Sequence, residues 1–132
     1  MQLSELKEKT FYTRMIPDVN GKMFTLFGCY YSIYSLVNTE NGKRYIGRTQ
    51  NPKSRIRTHL CQLKTGNHPN ELLNQDSGQH FDFVILKDGI LDSDEAKRME
   101  RFYMVRFKTY DPQFGYNGND RMLQRFIKNE EQ

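Results

Sequence analysis

Apolar residues recur along this chain with two different periods, and the period assigns most of its elements. From Tyr30 to Val37 the β-forming residues Tyr, Ile and Val cluster, Asn38 to Gly42 supply turn chemistry, and Arg44-Tyr45-Ile46 resumes the extended pattern. That succession predicts a hairpin. Phe81, Phe83 and Ile85 alternate with Asp82 and Val84, a period of two that predicts a third strand stopped by Asp88-Gly89. Between the strands the period lengthens. Asn51-Pro52 reads as an N-cap followed by proline at the first helical position, and Ile56, Leu60 and Leu63 follow at i, i+4 and i+7. The spacing predicts a helix to about Lys64 that Gly66 ends. Pro69 to Gln75 reads as a second, short helical segment through Leu72 and Leu73. Asp92 or Ser93 caps a later helix, with Asp94 and Glu95 in its first turn and Ala96, Met99, Tyr103 and Phe107 along one apolar face.

The ends carry weaker patterns. Residues 2 to 9 fit a short amphipathic helix bearing Leu3 and Leu6, and Pro17-Asp18 and Asn20-Gly21 mark turns after it. Asp111-Pro112 breaks the late helix, Gly115-Tyr116-Asn117-Gly118 reads as a tight, ordered turn, and residues 119 to 132 read as a frayed helix or tail.

Composition narrows the class without deciding it. A chain of 132 residues with 36% hydrophobic content has room for one compact core, and its 13% aromatic content offsets the ordering cost of 27% charged residues. A formal charge of +4 suits a polyanionic partner but is ordinary in itself. Cys29 and Cys61 lie far apart with no CxxC or histidine-rich context. They read as reduced core thiols, and so imply a cytoplasmic setting. No secretion signal and no apolar stretch long enough to span a membrane is visible.

Chemistry enters where side-chain alternation puts Ser32, Tyr34 and Leu36 on one face of the hairpin and Tyr45 with Gly47 on one face of its partner strand. Two phenols can meet across it, and Gly47 leaves space for another backbone or a phosphate to approach. Arg55 and His59, four residues apart, share an edge of the first helix. Glu100, between Ala96 and Tyr103, sets a carboxylate into a largely apolar side and so needs a partner: a metal ion, or Arg55 in a salt bridge. Phosphodiester hydrolysis asks for an activated water, cationic stabilisation of the phosphorus centre and help for the departing oxygen. A phenol of pKa about 10 serves as a base at neutral pH only with assistance, for which His59 and Lys43 are the candidates. Taken singly, each of these side chains would be an ordinary strand aromatic, solvated cation or satisfied histidine.

Taken together, Ser32-Ile33-Tyr34, Tyr45-Ile46-Gly47, Arg55, His59, Glu100 and Asn117 resemble the signature of the GIY-YIG nucleases in order and spacing. The resemblance runs from about Tyr30 to Asn117 and includes the Asn41-Gly42-Lys43 turn, the Gly66-Asn67-His68 loop and the Gly115-Tyr116-Asn117 ending. It departs at Ser32, where the family usually has glycine. The resemblance implies an α+β fold, a small three-stranded antiparallel sheet flanked by helices, over residues 29–118, with an N-terminal extension at 1–28 and a tail at 119–132. It implies hydrolysis of DNA phosphodiester bonds with one divalent metal ion, Mg2+ or Mn2+, on Glu100. Tyr34 would be the general base or water-positioning phenol, Tyr45 the second phenol and Arg55 the phosphate-binding cation. His59 would assist the tyrosine, and Asn117 would position the site.

Lys43, Arg44, Arg48, Lys53 and Arg57 form the densest positive stretch and are the candidate DNA contacts, with His68 in its loop a further one. Family members often append a separate DNA-recognition domain, so target selection here is expected from the domain, its short extensions or oligomerisation. One such site cuts one strand, which makes a homo-oligomer the route to a double-strand break. The competing reading is a nucleic-acid-binding module that keeps the fold but does not cleave. The retained Tyr34, Tyr45, Arg55, Glu100 and Asn117 argue against it.

Overall fold

The computed structural model describes residues 3–6 and 11–118, so part of the helix expected at residues 2–9 and the tail at 119–132 fall outside the described residues. Strand β3 (Tyr31–Asn38) is central in a three-stranded antiparallel sheet of order β4-β3-β5, between β4 (Arg44–Thr49) and β5 (Phe81–Ile90). The β3–β4 hairpin is in the register that pairs Tyr34 with Gly47 and Leu36 with Tyr45. Its turn closes by Gly42 N–H donating to the Asn38 carbonyl, with Gly42 at φ 78°, a left-handed conformation that glycine adopts without a Cβ penalty. Strand β5 does not stop at Asp88-Gly89 as its sequence predicts. The register with β3 slips twice, near Leu86 and at Asp88-Gly89, and the turn-forming pair is absorbed as a bulge, so pairing resumes at Tyr31–Ile90.

The period-two alternation sorts side chains onto two cores. Tyr34 and Leu36 of β3 and Phe81 and Phe83 of β5 meet Ile56 and Leu63 of α1 (Pro52–Thr65) and Leu73 of α2 (Glu71–Gln75) on one face. Ile33 and Ile46 point to the other face, against Ala96 and Met104 of α3 (Ser93–Arg106). Helix α1 begins and ends where its sequence says, whereas α2 starts two residues after Pro69 and α3 stops at Arg106, before Asp111-Pro112. Asn51 caps α1 by accepting from Ser54 N–H, Pro52 opens it and Gly66 ends it in the left-handed conformation. Asp92, not Ser93, is the N-cap of α3, its carboxylate accepting from Glu95 N–H.

Two expectations need correcting. On α1 the buried stripe is Ile56, His59 and Leu63, so His59 occupies a core position and Leu60 only flanks it. Cys29 is buried, but Cys61 is exposed on α1. Before the sheet, Leu3–Glu5 forms a single 3-10 turn, and β1 (Phe11–Pro17) pairs antiparallel with β2 (Met23–Cys29) through the predicted turn at Asp18 to Gly21. After α3 the chain returns beside the free edge of β4, where Arg44 and Gly115 form a parallel bridge. A Cβ on Gly115 would lie 2.4 Å from the Thr109 Cα and 2.6 Å from the Arg44 carbonyl oxygen, so only glycine passes there.

Candidate active site

Because the pleat places Tyr34 directly across from Gly47, the Tyr34 ring lies over the glycine. A Cβ at position 47 would sit 2.4 Å from the phenolic oxygen. The space Gly47 leaves is therefore filled by this phenol, where the sequence suggested a backbone or a phosphate. Tyr45 lies on the same face, its ring centroid 6.3 Å from that of Tyr34. The Arg55 guanidinium, one helical turn before His59 and exposed, brings its positive charge to both phenols and favours the ionised form of Tyr34.

His59 is buried, 3% exposed, and its Nε2 lies 2.7 Å from the Tyr34 hydroxyl. Its Nδ1 lies 2.7 Å from Nε2 of His68. Burial, followed by the Arg55 charge, pulls His59 down to about 3, and the same causes lower His68, so both imidazoles are neutral at pH 7. Tyr34 moves the other way. Burial raises it above the ordinary phenol range, with Tyr45 adding to the rise, and Arg55 only partly opposes them. The resting group is a phenol. Glu100 also raises Tyr34 through its charge, so carboxylate and phenol share one electrostatic environment although they come from opposite sides of the sheet.

Glu100 and the second phenol, Tyr45, meet around the edge of β4. Tyr45, Ile46, Asn70, Glu100, Met104, Tyr116 and Asn117 line an open cleft of about 220 Å³ there. Asn117 holds its rim: Oδ1 accepts from Ile46 N–H at 2.9 Å and Nδ2 donates to the Ile46 carbonyl at 3.1 Å. One side chain thus satisfies both backbone groups of an edge-strand residue. Tyr116 is anchored beside it, donating to Asp76 at 2.6 Å and accepting from Asn38 at 3.0 Å. Burial and the Asp76 bond push its phenol up to about 12. Glu100, with 13% of its side chain exposed, pairs with Arg48 at 2.8 Å.

The predicted residues therefore divide. Tyr34, Tyr45, Arg55 and His59 converge at one place, with Glu100 and Asn117 at the adjoining cleft. Of the candidate DNA contacts, Arg57 is exposed on α1, Lys53 is partly exposed there, and Lys43 ends the hairpin turn. Arg44 instead lies over the Phe107 ring at 4.4 Å, and Arg48 is spent on Glu100. His68 does not face solvent. It is 7% exposed, because Asn74 accepts from its backbone N–H and its ring fills the space beside His59. Ser32, at the departure from the family pattern, is buried and donates to Asp88 at 2.7 Å, beside the bulge in β5. Asn70 was not anticipated. It lines the cleft and caps α2, and only the Pro69 turn signal beside it was visible in sequence.

A three-stranded antiparallel sheet flanked by helices in this arrangement is the fold of a nuclease catalytic domain. The sequence model described as the GIY-YIG catalytic domain matches residues 30–117, and the chain belongs to the GIY-YIG nuclease family. Among solved structures, a mutant catalytic domain of the intron endonuclease I-TevI is similar over 69% of this chain and 95% of its own, at 26% identity and TM-score 0.60. The catalytic domain of the homing endonuclease I-TevI is similar in fold over 64% of this chain and 96% of its own, at 23% identity and TM-score 0.58. No curated protein matches the chain significantly.

Proposed function

We propose that this chain is an endonuclease that hydrolyses DNA phosphodiester bonds, with Tyr34 directing the attacking water, Arg55 holding the scissile phosphate and Glu100 binding one divalent cation. The observation that carries the reading is the gathering of the Tyr34, Tyr45 and His59 rings, with centroids 5.4 to 6.3 Å apart, under the Arg55 charge and beside the Glu100 cleft. Arg55 is exposed and has five N–H donors with which to engage phosphate oxygens. The phenolic oxygens and the phosphate then lie around one cation, the near-attack arrangement hydrolysis requires. Tyr45, on the side of Tyr34 that faces the cleft, would donate to a phosphate oxygen as charge accumulates there.

Among the described residues no group of three or more His, Cys, Asp or Glu side chains could hold a metal ion. A hard cation that keeps most of its waters needs one or two carboxylates plus the substrate's phosphate, and Glu100 in a polar, open cleft meets that requirement. Mg2+ or Mn2+ there would polarise a phosphate oxygen and steady the departing one. The Arg48 side chain already pairs with Glu100 at 2.8 Å, so a cation taking that carboxylate would have to displace or share this partner.

The test is cleavage of supercoiled plasmid by the wild type and by Glu100→Gln, with Mg2+ or Mn2+ and with chelator. Wild-type cleavage that needs the metal and is lost in the variant is the expected result. Tight plasmid binding with no nicking by either protein would instead make this a non-cleaving nucleic-acid-binding module.

A further inference from the structure

A backbone N–H can only donate, and one such group fixes the direction of every hydrogen bond that leads to Tyr34. The Asn70 N–H donates to Nδ1 of His68 at 3.0 Å. His68 Nδ1 is then the bare nitrogen, and a neutral His68 must carry its proton on Nε2. That proton points at Nδ1 of His59, 2.7 Å away. The rings lie within 11° of one plane with centroids 5.0 Å apart, as an edge-to-edge N–H···N bond requires. His59 Nδ1 is therefore an acceptor, its proton is on Nε2, and Nε2–H donates to the Tyr34 oxygen at 2.7 Å.

We propose that His68 is a positioning residue that locks His59 in the Nε2–H tautomer, so that His59 gives a hydrogen bond to Tyr34 and does not take its proton. From sequence His59 is expected only to assist the tyrosine, and this geometry selects donation to the phenolic oxygen over acceptance of its proton. With His59 donating to the Tyr34 oxygen, the phenol's own O–H is left to point away from that donor. His59 then stabilises negative charge that builds on the Tyr34 oxygen by donating to it, and takes no proton from it. The role of Tyr34 rests on the nuclease reading above, but the tautomer does not.

Nitrogen-15 NMR of the full chain with labelled histidine separates the two claims, since it reads the tautomer without any turnover. The wild type is expected to show His59 with a protonated Nε2 and a bare Nδ1, and His68 likewise. His68→Phe keeps a buried ring but offers no donor. His59 should then shift largely to the Nδ1–H form, which accepts from Tyr34. His68→Gln, whose amide N–H can reach back to His59, should restore Nε2–H. In plasmid cleavage, His68→Phe should lower kcat about tenfold at unchanged KM, and His68→Gln should recover most of it. A wild-type His59 with its proton on Nδ1 overturns the proposal even if His68→Phe fails to fold. So does a His59 tautomer that the Phe substitution leaves unchanged. A chain that nicks no DNA but shows the expected tautomers leaves this assignment standing and removes the nuclease reading alone.

Discussion

A methyl group on Gly47 would overlap the Tyr34 hydroxyl, so the glycine of the second motif half exists to seat the tyrosine of the first. Gly47→Ala should therefore displace the phenol while the strand still pairs. Nuclease activity is expected to fall on the order of a hundredfold, the cost of a misplacement of about 1 Å, with far-UV circular dichroism unchanged. Wild-type cleavage rates in this variant would show that Tyr34 need not occupy its present position. Tyr34→Phe asks a different question at the same place. It keeps the ring over Gly47 but strips the acceptor from His59. A buried donor left without its acceptor costs about 1–3 kcal/mol, so thermal unfolding should shift down together with a loss of cleavage of about a hundredfold or more. The pairing of Tyr34, Tyr45 and Gly47 was legible in sequence because it follows from a period of two across one short turn. The partners of Arg48 and His68 were not. Arg48 meets Glu100 across 52 positions, and His68 meets His59 through a loop whose path depends on Asn74 and Asn70.

At the scale of elements, the buried histidine pair couples α1 to the loop before α2, and that coupling depends on pH. His59 in the folded chain titrates at about 3, against an ordinary value of 6.5, and His68 is lowered as well. Groups depressed on folding bind more protons when unfolded, so their stabilisation is complete above 6.5 and is lost as pH falls from there toward 3. Urea unfolding should show stability falling by up to about 1.4 kcal/mol per pH unit for each histidine below pH about 6.5. His59→Gln should flatten that slope, and a slope unaltered by the substitution would place the acid sensitivity elsewhere. Asn117 couples a second pair of elements, the segment after α3 and the edge strand β4, through both backbone groups of Ile46. Asn117→Ala should cost about 2 kcal/mol or more, because it leaves two buried backbone groups unpaired. Its amide-exchange signature should be faster opening confined to β4. Helix boundaries, by contrast, were readable to the residue at Asn51, Pro52 and Gly66, since caps act within one turn. The β5 bulge was not, because Asp88-Gly89 carries the same chemistry whether it ends a strand or kinks one.

For the molecule as a whole, the two sides of the sheet contribute different parts of a single site: phenols and cations from the α1 side, the carboxylate from α3, joined around the open edge of β4. On the proposed reading one such cleft holds one scissile phosphate, so one chain in one encounter would break one strand. Supercoiled plasmid should therefore pass through a nicked circle before any linear product. If linear product needs two chains acting together, its rate should rise with the square of protein concentration while nicking rises in proportion. Among the candidate DNA contacts Arg44 covers Phe107 and Arg48 holds Glu100, which leaves exposed Arg57 with the partly exposed Lys43 and Lys53 to add to the grip of Arg55. Counterion release scales with the number of phosphates neutralised, so plasmid affinity should weaken only modestly with salt, with a log–log slope of about −2 to −4. A slope near −8 would mean that many more cations reach the DNA than this arrangement presents, and would require Arg44 and Arg48 to leave their partners on binding.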